Sequence, residues 1–167
     1  MTDSFDADLE PVLLAYGKAC FAAQSLESSI RLLLVVQSSA RAGMAVSPRV
    51  LSEIESETMR DAVYSLFERA KAVEYFTAAE EKQIKQAMRT RNYLIHELWA
   101  RYAARMTTPD GRAFLVGQME KIQRELGAAE RILASLVDRH LEEHGLTLEK
   151  IQELALRQYQ SGVEVPG

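Results

Sequence analysis

Cysteine occurs once in 167 residues, so no internal disulfide can staple the fold. Cys20 lies in an apolar helical stretch, where a small buried thiol suits a core position. Tryptophan and asparagine also occur once each, as Trp99 and Asn92. No segment alternates apolar and polar residues at strand period, and no internal repeat or low-complexity tract is present. The start, Met1-Thr2-Asp3-Ser4-Phe5-Asp6, is acidic and has no charged n-region ahead of an apolar core. No later apolar run approaches bilayer-spanning length, so no membrane association and a cytoplasmic location are expected. A phosphate-cradling glycine loop, a nucleophile elbow and a di-iron Glu-x-x-His pair are all missing, which leaves small-molecule enzymology without support and no cofactor expected. The net formal charge of −4 argues against wholesale coating by nucleic acid.

What the chain has is apolar residues at helical spacing. At 47% hydrophobic it can bury a core without staples, and one domain over 1–160 with a tail at 161–167 is the expectation. Leu9, Val12, Leu13, Tyr16, Ala19, Cys20, Ala23, Leu26, Ile30, Leu33 and Leu34 recur at three- and four-residue intervals. They predict a long first helix, capped by Asp6 or Asp8, with Pro11 in its first turn and its end near Gly43. Ser47-Pro48 restarts the chain into a second helical stretch reaching about Val73, with a break near 56–58. Thr77-Ala78-Ala79-Glu80 has the capping-box form and opens a third helix that runs to about Met106. Thr107 to Gly111 supplies turn chemistry, a fourth helix follows to Gly145, and a short fifth covers 147–159. The expected architecture is all-α, an antiparallel bundle of four to five helices.

Arg91 violates the pattern. At about 100° per residue it falls in the middle of the face shared by Ile84, Met88, Ile95, Leu98 and Tyr102. A guanidinium there needs a carboxylate, water or an anionic ligand, because it cannot shed its charge. Glu27, on the inward stripe of the first helix, is equally out of place and is the expected partner, orienting Arg91 across the bundle. Asn92 and His96 stand four residues apart on the adjoining flank. Residues 82–106 hold six cations, Lys82, Lys85, Arg89, Arg91, Arg101 and Arg105, against the single acid Glu97, a local charge of +5 (six less one). Such an island suits a phosphate backbone, with Tyr93, Trp99 and Tyr102 as stacking surfaces. It also suits a solvated helix face, with Trp99 and Tyr102 in the core. His140 and His144, at i and i+4, have metal-ligand spacing, but histidines near a helix C-terminus are also favoured by the dipole, and no metal site is assigned.

The string Arg91-Asn92-Tyr93-Leu94-Ile95-His96 resembles the HEPN motif, an arginine followed directly by a polar residue and, four to six residues on, by a histidine. Tyr16 to Glu27 is similar to the first helix of small bacterial proteins of that family, and the likeness spans about residues 8–145. The resemblance implies a helical bundle that dimerises with two motifs facing across a cleft. It often implies a metal-independent endoribonuclease, as a toxin or defence component with a cognate antitoxin. His96 would then be the general acid/base at the ribose 2′-hydroxyl or the leaving oxygen. Arg91 would neutralise charge developing on the phosphorane, Asn92 would orient the phosphate or the histidine, and Lys85, Arg89 and Arg101 would contact RNA. These side-chain types suit the chemistry: histidine exchanges protons near neutrality, and a planar cation matches phosphate. The alternative is a non-catalytic helical interaction module, in which the same residues are structural polar groups. In one toxin branch a tyrosine two residues after the histidine is modified by the antitoxin; here that position is Leu98.

Overall fold

The computed structural model describes residues 3–41, 63–72, 76–143 and 145, with side chains of the first segment described from 9 to 37. Within these the chain is helical throughout and forms a helical bundle: α1 (Asp3–Arg41), α2 (Val63–Lys71), α3 (Ala78–Asn92), a π turn (Tyr93–Glu97), α4 (Leu98–Tyr102), a 3-10 turn (Ala103–Thr107) and α5 (Pro109–Glu143). Gly43, the restart at Ser47-Pro48, the break near 56–58, the fifth helix and the tail lie outside the described residues.

Helix α1 begins before either aspartate proposed as its cap, so Pro11 sits inside the helix rather than in its first turn. A proline there forgoes one backbone hydrogen bond. The stretch Leu9–Gln37 is also long and apolar enough to cross a membrane by length and mean hydropathy, contrary to the expectation that no run would qualify. Its few charges, Glu27 and Arg31 among them, lower the average without taking it below that measure. The core helix of a folded bundle meets the same measure, and 44% of the apolar window is buried.

The chain divides into two compact units, Met1–Glu27 with Phe76–Arg131, and Ser28–Tyr75 with Ile132–Gly167. In the first, Val12, Ala15, Ala19, Ala23 and Leu26 supply one side of the core. Ile84, Ala87, Met88, Leu94 and Leu98 supply a second side, and Leu115, Met119, Ile122, Leu126 and Ala129 a third. Cys20 is half-buried rather than core. Gln123 donates from Nε2 to the Ala15 carbonyl at 3.0 Å. In the second unit, Ile30, Leu33, Leu34, Val36, Val63, Leu66, Phe67, Ala70, Leu133, Leu136 and Val137 are buried, and Gln37 Nε2 donates to the Ala70 carbonyl at 3.4 Å.

The start of α3 follows the sequence closely. The Thr77 hydroxyl accepts from the Glu80 N–H at 3.2 Å, and the Glu80 carboxylate accepts from the Thr77 N–H at 2.8 Å. Downstream, the expected single helix to Met106 is four segments. The turn expected at 107–111 is instead a helix start: Thr108 accepts from the Gly111 N–H at 3.2 Å, and Pro109 is the first residue of α5. Proline is pre-organised for that position and has no N–H to leave unpaired. Helix α5 stops at Glu143, and Gly145 has a φ of 61° and returns its N–H to the Glu142 carbonyl at 3.0 Å.

Candidate functional site

Arg91 and Asn92 are the last two residues of α3, and His96 lies in the π turn that follows at once. In such a turn the hydrogen bond spans five residues instead of four, so the wall of the helix widens and the 3.6-residue stripe loses its phase. The Leu98 N–H accordingly reaches back to the Tyr93 carbonyl. Glu97 ends the turn at φ −120°. Ile95, expected on the buried face, is 40% exposed, whereas Leu94 is fully buried. Asn92 and His96 are both exposed and open to solvent.

The Arg91 guanidinium uses both terminal nitrogens. Nη2 donates to Glu27 Oε2 at 3.0 Å, a half-buried ion pair, and Nη1 donates to Asn92 Oδ1 at 3.2 Å. Glu27 and Arg91, the two charges at odds with their apolar stripes, thus meet, and the arginine's second bond ties Asn92 to the same plane. Next door, the buried Thr90 hydroxyl donates to Glu125 Oε2 at 2.8 Å and pins this turn of α3 to α5.

Beyond the π turn, two aromatic pairs fix the chain. Trp99 meets Tyr16 edge-on at 5.0 Å between ring centroids, and Tyr102 meets Phe114 at 5.4 Å. Both Trp99 and Tyr102 are half-buried, so they are packing groups more than open stacking platforms. Burial raises Tyr93 above the usual tyrosine range, reinforced by a hydrogen bond with Tyr102. Tyr16 is raised for the same first reason, with Cys20 as its hydrogen-bond neighbour.

The three basic residues expected to contact RNA differ in their surroundings. Lys85 is paired with Glu81 at 2.6 Å, and Arg101 with Glu97 at 2.6 Å while lying 5.7 Å from the Tyr93 ring centre. Arg89 is exposed and borders a groove of about 400 Å³ together with Thr90, Tyr93, Gln118, Lys121 and Glu125. A larger groove of about 890 Å³ between α3 and α5 includes Lys82, Lys85, Arg89 and Arg124 but none of Arg91, Asn92 and His96. Among the described residues no group of three or more metal-ligating side chains converges; His140 lies 4.0 Å from Glu143, and His144 is outside the described residues.

Sequence reasoning missed the π turn, the Thr90–Glu125 bond and the Arg105 guanidinium lying 4.1 Å over the Phe114 ring. The first leaves no mark in the sequence, since adjacent apolar residues such as Leu136 and Val137 are buried together in a regular helix. Compared with known proteins, the chain matches no family model, no curated protein and no solved structure.

Proposed function

We propose that the protein is a metal-independent endoribonuclease of HEPN type, acting in a homodimer as a toxin or defence component, with Arg91, Asn92 and His96 as its catalytic residues. The observation that carries the reading is the π turn at Tyr93–Glu97, which interrupts a helix directly after Arg91-Asn92 and holds His96 exposed. Single π turns within α-helices are concentrated at functional sites, because they give up regular packing to re-aim side chains.

In this reading His96 takes the proton from a ribose 2′-hydroxyl as it attacks the adjacent phosphorus, or returns one to the departing 5′-oxygen. The P–O5′ bond breaks, and a 2′,3′-cyclic phosphate and a free 5′-hydroxyl remain. Arg91 offsets the negative charge that grows on the non-bridging oxygens, where a planar cation is worth most. Asn92, sharing a hydrogen bond with Arg91, orients the phosphate. Arg89, two residues before Arg91 and exposed, is placed to guide the strand.

One observation favours the alternative of a non-catalytic interaction module. Arg91 already has a carboxylate at 3.0 Å, so it is satisfied as a structural ion pair with no substrate present. The deciding experiment incubates purified protein with total RNA and a chelator, beside the His96→Ala variant. Cleavage by the parent alone, leaving cyclic phosphate ends, supports the nuclease. Loss of folding or of the dimer in Arg91→Ala and His96→Ala, without any cleavage by the parent, supports the module.

A further inference from the structure

Three of the four large apolar side chains exposed among the described residues lie within nine residues of α1: Leu13 at 54%, Leu14 at 56% and Phe21 at 71%. With Gly17, Lys18, Ala22 and Gln123 they line one shallow groove. Solvent-facing apolar residues scattered singly are ordinary, but a contiguous stripe marks an interaction surface.

Gly17 sharpens the point. It lies inside a helix, where glycine is less favourable than alanine. Its φ is not positive, and a β-carbon added to it would meet nothing within 4 Å. Among the described residues nothing packed against Gly17 calls for glycine there. A missing side chain on an exposed helix face lets another backbone approach closely.

The charges bordering the stripe indicate which backbone. Glu10 and Lys18, both exposed, stand four residues either side of Leu14, with opposite signs. Each lies about 6 Å from Leu14 along the helix axis. A second α1 laid antiparallel about a two-fold axis through Leu14 brings Glu10 of each copy against Lys18 of the other. The same operation sets Gly17 of one copy opposite Pro11 of the other, where the absent side chain makes room for the proline ring. A parallel arrangement would stack Glu10 on Glu10 and Lys18 on Lys18. We infer that the exposed face of α1 is a self-complementary surface that pairs two copies of this chain antiparallel. The inference rests on α1 alone: Glu27, which holds Arg91, lies thirteen residues and about 20 Å along the helix from this two-fold axis, so the α1 contact is separate from the motif cleft of the nuclease reading.

The test is sedimentation of the full-length protein across a dilution series. The wild type is expected to dimerise. Glu10→Lys and Lys18→Glu should each weaken the dimer about tenfold or more, and the double variant Glu10→Lys/Lys18→Glu should recover it, since the pairs are re-formed with signs exchanged. Gly17→Ala should raise the melting temperature of the monomer while weakening association, a split that a merely structural glycine would not give. In a Cys20→Ser background, Leu14→Cys should cross-link to itself. A wild type that stays monomeric, a dimer unaffected by Glu10→Lys, Lys18→Glu and Gly17→Ala, or a double variant no better than its singles would overturn the proposal. A monomer that instead co-sediments with anionic phospholipid vesicles would overturn it in favour of a membrane surface.

Discussion

Two glycines in α5 carry opposite consequences for the same substitution. A β-carbon on Gly111 would lie 2.0 Å from the Arg105 carbonyl oxygen, a backbone atom that cannot swing aside. Gly111→Ala must therefore displace the 3-10 turn, and a loss of about 1–3 kcal/mol is expected in chemical denaturation. On Gly117 the added carbon meets nothing within 4 Å. Gly117→Ala should therefore stabilise by up to about 1 kcal/mol, and the two variants moving the same way would refute the steric account. The buried-leaning tyrosines supply a pH dependence. Tyr16 and Tyr93 are both raised, burial being the first cause. Their phenols stay protonated in the folded chain at pH values where the unfolded chain has begun to lose them. That contribution is complete below the ordinary tyrosine value of about 10 and falls away as the pH climbs through the higher folded values. Melting temperatures followed from pH 8 upward should drop above about 10, and less steeply in Tyr16→Phe/Tyr93→Phe.

At the scale of elements, what local chemistry dictates was readable and what long-range fit dictates was not. The capping box at Thr77 and Glu80 is a contract among four consecutive residues, and it forms as written. Thr77→Ala should cost about 1 kcal/mol, measured by denaturant midpoint. The Pro109 start was misread because the run Pro109-Asp110-Gly111 signals a turn, yet proline behind a threonine cap also begins a helix. The π turn was out of reach for a different reason. It arises where the stripe of α3 and the stripe beginning at Leu98 must both face the core although their spacing differs by about one residue. Deleting Ile95, an exposed residue of the turn, should return the segment to a continuous α-helix. Helical circular dichroism and melting temperature should hold or rise, and any RNA cleavage should vanish with the changed spacing between Arg91 and His96. A deletion that unfolds the protein would show the turn to be structural.

For the molecule as a whole, the helical class was legible because the 3.6-residue period runs through most of the chain. The candidate site was legible where residues contradicted their stripe: Glu27 and Arg91 were each conspicuous as charges among apolar neighbours, and they meet at 3.0 Å. The partners of Lys85 and Arg101 were within reach of the sequence, since Glu81 and Glu97 each stand four residues ahead on the same helical face. The apolar face of α1 was hidden. Leu13 reads as core in a periodic pattern, and only coordinates reveal that it points outward. The Glu27–Arg91 bond has a last consequence for recognition. An anion arriving at this guanidinium does not fill an empty socket; it must outbid a carboxylate already seated there. Binding is then an exchange with an entrance fee, and a small free ion such as phosphate should gain little from it, whereas a polymer held at several points can meet the cost collectively. Removing the incumbent reverses the order: Glu27→Gln should let inorganic phosphate raise the melting temperature more than it does in the wild type. Equal shifts in the two proteins would mean that the carboxylate holds the arginine in place without guarding it.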